Sequence, residues 1–220
     1  MRPAILLLSG GLDSATAGAL VRKRFRLHAL SFRYGQRHAV EIRAARRVAR
    51  SLGIRDHRVM SLDLAAWGGS ALTDRRIAVP RNRRIGPGVP VTYVPARNTV
   101  FLALAAAFAE SIGAKNIVVG FNVLDYSGYP DCRPRFLRAF ERVLAAGTKA
   151  GKGWRIHAPL IRMTKAQIIR AGAAAGLDFS ITHSCYDPDR RGRACGTCDS
   201  CVIRRRGFRE AGVKDPTVYG

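Results

Sequence analysis

The chain has 220 residues, 47% of them hydrophobic, which suits one main domain with an appendage rather than several independent cores. No apolar run approaches the length of about eighteen residues that a membrane span needs. The formal charge of +23, from 38 basic and 15 acidic residues, makes a polyanion such as tRNA one reading of the surface.

The opposing reading is composition. Arginine outnumbers lysine 32 to 6, and the arginines are spread over most of the chain rather than gathered in a patch. Nucleic acid is therefore a possible but not a favoured partner, kept open by local clusters at Arg81, Arg83 and Arg84 and at Arg204 to Arg206. Met-Arg-Pro leads straight into an apolar run, with no small-residue cleavage site behind a charged leader. A cytoplasmic protein is expected, with no membrane contact.

In chain order, an apolar run at 4–8 predicts a short strand and the alanine-rich 13–24 a helix. "LHALSF" at 27–32 predicts a second strand. Val40, Ala44, Val48 and Leu52 then mark one face of a helix from Arg37 to Leu52. "HRVMSL" at 57–62 reads as a third strand. The stretch 63–96 is rich in glycine and proline and has no periodicity; such loops are expected to be functional lids or disordered. An apolar helix at 99–113 stops at Gly113, and "NIVVGF" at 116–121 reads as a buried strand. A helix at 133–146, a strand at 155–160 and a helix at 164–175 complete the series. Alternation of this kind implies an α/β fold with parallel strands and right-handed crossovers. Two units are expected, an α/β domain over 1–180 and a small helical metal-binding module over 181–220.

Ligands of open α/β sheets bind beyond the carboxyl ends of the strands. "SGGLDS" at 9–14 follows the first strand there and leads into a helix N-terminus. Glycines let backbone N–H groups approach an anion, the helix start adds free N–H groups, and two serines add hydroxyls. The loop suits phosphate. It is neither a Walker A loop nor a dinucleotide fingerprint, because neither spacing is present. A plain strand-to-helix turn capped by Asp13 or Ser14 is the alternative.

Four of the five cysteines, Cys185, Cys195, Cys198 and Cys201, fall as C-x9-C-x2-C-x2-C. Thiolates at two-residue spacing suit one tetrahedral zinc ion, with redox chemistry at a C-x-x-C as the alternative. Four cysteine ligands leave no open position for water, so the zinc would be structural, one per chain. Cys132 has no base beside it in sequence and is expected to line a pocket or pack.

"SGGLDS" resembles the PP-loop of the ATP pyrophosphatase superfamily. Further stretches occur in order: "YGQRHAVE" (34–41), "TYVPARNTVFLALA" (92–105), "GFNVLDYSGYPDCRPRF" (120–136), "APLIRMTKAQII" (158–169), "SCY" with the later cysteines, and "DPTVY" (215–219). Together they resemble the 7-cyano-7-deazaguanine synthase family, the nitrile-forming enzymes of queuosine precursor synthesis, over nearly the whole chain. The resemblance implies a Rossmann-like PP-loop domain and a two-stage reaction on a free base. ATP activates the carboxylate of 7-carboxy-7-deazaguanine, and ammonia makes the amide. A second ATP then activates the amide oxygen, whose loss leaves the nitrile.

The resemblance further implies that Leu8, Ser9, Gly10, Gly11, Leu12, Asp13, Ser14, Ala15, Thr16, Ala17 and Gly18 hold ATP, with Asp13 acting through Mg2+ or as a cap. Arg97 would stabilise anionic charge, with a surface salt bridge as its alternative, and Asn98 would cap its helix. Tyr34, Gln36, Asp125, Tyr126, Tyr129, Asp131 and Arg133 would line the substrate pocket beside Arg97. Lys165 would approach the phosphates or stand solvated in a first turn. His38 and Glu41, one turn apart, form either a pocket pair or a helix-surface pair. A homodimer is the expected assembly. A PP-loop enzyme acting on tRNA is the rival: a thiolase would want reactive cysteines near the loop, and a lysine ligase a further tRNA-binding domain. A zinc-knuckle nucleic-acid binder is disfavoured by the intact loop.

Overall fold

The structure is a computed structural model, and it describes residues 1–37, 40–82, 86, 88–124 and 128–220. Five parallel strands form one sheet in the order β3-β2-β1-β4-β5. They are β1 (Arg2–Leu7), β2 (Phe25–Arg33), β3 (His57–Ser61), β4 (Asn116–Val118) and β5 (Arg155–His157). Among the described residues six helices connect and flank them: α1 (Leu12–Val21), α2 (Val40–Ser51), α3 (Arg97–Ser111), α4 (Pro134–Gly147), α5 (Lys165–Ala174) and α6 (Asp199–Ala211).

Alternation along the strands divides the core in two, because successive side chains leave opposite faces of a sheet. Ala4, Leu6 and Leu8 meet Ala15, Val48, Ile168 and Phe208 on one face. Ile5 and Leu7 meet Leu102, Leu137 and Trp154 on the other. Parallel strands covered on both faces read as unbroken apolar runs, which is the pattern of "AILLL" in β1. The carboxyl ends of β1 and β4 lie side by side at the centre, where the strand order reverses, which is the ligand position of such sheets.

Several ends differ from expectation. The strand expected over 116–121 leaves the ladder after Val118, and the one expected to reach 160 ends at His157. Gly120 explains the first: a Cβ there would lie 2.6 Å from the backbone nitrogen of Ser14, so the chain turns to pass the start of α1. α5 begins with a reciprocal capping box between Thr164 and Gln167, and α4 with Pro134 at its first turn.

The long stretch after β3 is anchored rather than free in its described part. Arg37 donates to the carbonyl oxygens of Ala71 (2.7 Å) and Asp74 (3.0 Å), and to that of Ile77. Leu72, Val79 and Val94 are buried, and Asn82 N–H bonds Thr197 O at 2.8 Å. The segment is packed in place by side-chain-to-backbone bonds, which carry no periodicity. Among the described residues no helix is long and apolar enough to cross a membrane.

Candidate active site and metal centre

A cavity of about 310 Å³, in the range of small-molecule sites, opens at the carboxyl ends of β1, β2 and β4. Leu8, Ser9, Gly11, Leu12, Asp13 and Ser14 line one side of it. Ser14 Oγ accepts from Ser9 N–H at 3.2 Å and meets Ser9 Oγ at 3.0 Å, which closes the loop on itself. Gly10 does not line the cavity. Its φ is +84°, and a Cβ would lie 2.4 Å from Glu41 O and 2.5 Å from Ala45 N, so only glycine lets the loop pass under α2. Ala15, Thr16, Ala17 and Gly18 continue inside α1, away from the cavity wall.

Neither Asp13 nor Ser14 caps α1; the cap position is Gly11, with no side-chain bond. Asp13 instead pairs with Lys165, whose Nζ lies 2.6 and 2.8 Å from the two carboxylate oxygens. Lys165 is buried at the start of α5, so it is not the solvated first-turn lysine of the alternative reading. The pair sets a cation beside the glycine-serine loop and screens the acid within it.

Tyr34, Gln36, Glu41, Arg97, Phe101, Tyr129, Cys132 and Tyr186 also line the cavity. Among the described residues Arg97 makes no salt bridge: Nη1 donates to Tyr34 Oη at 3.3 Å, and the guanidinium stands 5.5 Å from the Tyr34 ring centre. Its Nε is buried without a partner. Burial pushes the Tyr34 phenol up to about 12 and the Cys132 thiol up to about 12. Burial likewise lifts the Glu41 carboxyl to about 7, against the pull of Arg97. Gln36 folds back on β2, taking Tyr34 N–H at 2.7 Å and giving to Phe32 O at 3.1 Å. Phe32 and Phe101 stack at 4.0 Å. A guanidinium set among aromatic rings suits a flat, anionic ligand.

Asp131 and Arg133 lie off the cavity wall. Asp131 is buried, and its Oδ2 accepts from Asn98 N–H at 3.0 Å, capping α3 from another segment. Asn98 is therefore the capped residue, not the cap; its Nδ2 reaches Cys132 Sγ at 3.2 Å. Arg133 occupies the cap position of α4. His38, Asp125 and Tyr126, together with Arg83 and Arg84, lie outside the described residues. Pattern reading missed His183, Ser184 and Arg204, which also line the cavity. Arg204 is interior, 3% exposed and 3.1 Å from Asp215, while Arg205 and Arg206 are exposed, so the run does not act as one surface cluster.

Cys185, Cys195, Cys198 and Cys201 gather with all sulfur atoms within 4.8 Å of one another. Four thiolates around zinc stand about 3.8 Å apart at Zn–S bonds of about 2.3 Å, so the cluster fits a tetrahedral ion. Backbone N–H groups of Asp187 and Cys195 donate to Cys185 Sγ at 3.3 and 3.2 Å. Those of Cys198 and Tyr186 donate to Cys195 Sγ at 3.3 Å and Cys198 Sγ at 3.5 Å. Such donors favour the charged thiolate a metal requires. The positive φ of +72° at Gly196 allows the turn between ligands.

Parallel sheet, glycine-serine loop and cysteine cluster define an α/β PP-loop class of protein with a C-terminal cysteine cluster that fits a metal ion. Solved structures agree on the fold. A predicted subunit of tRNA methyltransferase from Methanocaldococcus jannaschii superposes with a TM-score of 0.52 at 15% identity, covering 100% of this chain and 93% of that one. NMN synthetase from Francisella tularensis gives 0.52 at 17%, covering 97% and 78%. Residues 3–212 match the family model described as queuosine biosynthesis protein QueC. The 7-cyano-7-deazaguanine synthase of Anaeromyxobacter sp. is 60% identical over 98% of this chain and 95% of its own length. Those of Paramagnetospirillum magneticum and Methylococcus capsulatus are 59% and 57% identical, each over 100% of this chain and 99% of their own. The chain belongs to the QueC family and is an enzyme of the synthase type that its relatives' name describes.

Proposed function

We propose that the chain is an ATP-dependent ligase that converts 7-carboxy-7-deazaguanine and ammonia to 7-cyano-7-deazaguanine. The observation that carries this reading is one cavity lined both by the glycine-serine loop and by Arg97 among aromatic rings. The name shared by relatives up to 60% identical supports the product.

In the first stage a carboxylate oxygen attacks the α-phosphorus of ATP. The α–β bond breaks, pyrophosphate leaves, and ammonia displaces AMP to give the primary amide. In the second stage the amide oxygen attacks the α-phosphorus of another ATP, pyrophosphate leaves, and loss of AMP and a proton from the resulting imidate leaves the nitrile. Leu8 to Gly18 hold the nucleotide, of which Ser9, Gly11 and Ser14 face the phosphates and the rest shape the loop. Lys165 and Arg97 offset negative charge on either side of the reacting carbon. Asp13 keeps lone pairs beyond those taken by Lys165 and would hold Mg2+, which when bound supplies countercharge to the phosphates. Tyr34, Gln36, Tyr129 and Arg97 form the acceptor part of the site, Asp131 and Arg133 support it, and the family resemblance assigns Asp125 and Tyr126 to the same substrate.

Residues 1–180 serve as the ATP-binding domain and 181–220 as a zinc-binding module packed on it. The enzyme is read as a cytoplasmic homodimer acting on small molecules, which light scattering tests. Incubation with ATP, Mg2+, ammonium and 7-carboxy-7-deazaguanine, followed by mass spectrometry, should yield the amide and then the nitrile. Absence of both, with ATP turnover appearing only on addition of tRNA, would sink the reading.

A further inference from the structure

The loop side of the cavity is completed by a segment far away in sequence. His183 N–H donates to Gly10 O at 2.9 Å, so the chain before Cys185 runs along the loop. Ser184 lines the cavity with Ser9, Asp13 and Lys165. Its Oγ accepts two bonds, from Leu12 N–H at 3.5 Å and from Arg204 Nη1 at 3.4 Å.

A serine hydroxyl has two acceptor sites and a single proton. Both acceptor sites are filled by groups that only donate. The proton must point away from them, and no acceptor among the described residues takes it. Arg204 is fixed in turn by Asp215 (3.1 Å), Thr182 Oγ1 (2.9 Å) and Phe179 O (3.3 Å). The hydroxyl is thus oriented before any ligand arrives, at the first residue of α1, where a helix start attracts anions.

We propose that Ser184 is a phosphate-binding residue, an oriented hydroxyl donor to the phosphate chain of ATP, with Arg204 as its positioning residue. This rests on the ATP-dependent reading given above and adds a contact from outside the loop motif. It also ties the phosphate site to the cysteine cluster, since Cys185 is the next residue.

Titration calorimetry without acceptor tests it, using ATP with Mg2+, pyrophosphate and adenosine as separate probes. Ser184→Ala should weaken ATP and pyrophosphate about ten-fold, the loss of one bond to a charged group, and leave adenosine unchanged. Ser184→Thr, which keeps the hydroxyl, should stay within about three-fold of the wild type. Metal content should not change in either. If Ser184→Ala does not fold, Ser184→Cys, close in shape but a weak donor, is read the same way. Unchanged ATP affinity overturns the proposal. So does an equal loss for ATP and adenosine, which would make Ser184 a brace of the loop. ATP bound by the wild type without nitrile formation refutes the ligase reading and leaves this test standing; absence of ATP binding refutes both.

Discussion

Lys165 Nζ reaches both carboxylate oxygens of Asp13, at 2.6 and 2.8 Å, across 152 residues of sequence. The acid of the loop thereby carries its own countercharge. Asp13→Ala should lower ATP-dependent product formation by at least about 100-fold while the cysteine site keeps its metal. Turnover and metal content of the purified variant check this, and retained activity would refute the role given to Asp13.

Asp131 caps α3 through Asn98 N–H. Asp131→Ala removes the cap and strands a buried donor, which costs about 1–3 kcal/mol. The melting temperature should fall by about 2–4 °C for each kcal/mol lost, and by less in Asp131→Asn, which keeps an acceptor. An unchanged melting temperature in the alanine variant would contradict this placement.

Burial raises the Glu41 carboxyl from 4.5 to about 7, so between those values the folded chain holds a proton that the unfolded chain releases. Stability from this group is full below pH 4.5 and is lost as pH rises through 7. Glu41→Gln removes the cost of the buried charge and should be the more stable protein at pH 8, by on the order of 1 kcal/mol or more, with no gain at pH 4. Denaturant unfolding at the two pH values decides it. A gain of equal size at both would remove burial of the charge as its cause.

The four clustered thiols predict one zinc per chain by elemental analysis. Cys198→Ser should bring that well below one, and since structural zinc contributes folding energy directly, should also lower the melting temperature. A variant that unfolds at the wild-type temperature would show that the metal is not structural.

What the sequence makes legible here follows from locality. The sheet is readable because β1 and β2 are largely apolar runs and the helices that follow are alanine-rich, as in α1, or periodic, as in α2. The loop at Ser9 to Ser14 and the cysteine spacing are readable because their chemistry lies within a few residues. Where the outcome depends on contacts across the fold, pattern fails. Asp131 reads as a pocket acid but turns inward to cap α3. Ser184 carries no motif of its own and meets Leu12 from 172 residues away. The aperiodic stretch after β3 looks unconstrained, yet Arg37 holds it by three backbone carbonyls.

The proposed reaction activates the same carbon twice in one cavity. Counting AMP against nitrile in a reaction supplied with 7-carboxy-7-deazaguanine, ammonium and excess ATP decides this. Two AMP and two pyrophosphate are expected per nitrile, and one AMP per nitrile when the reaction starts from the amide. A ratio of one from the acid, or ADP in place of AMP, would contradict it.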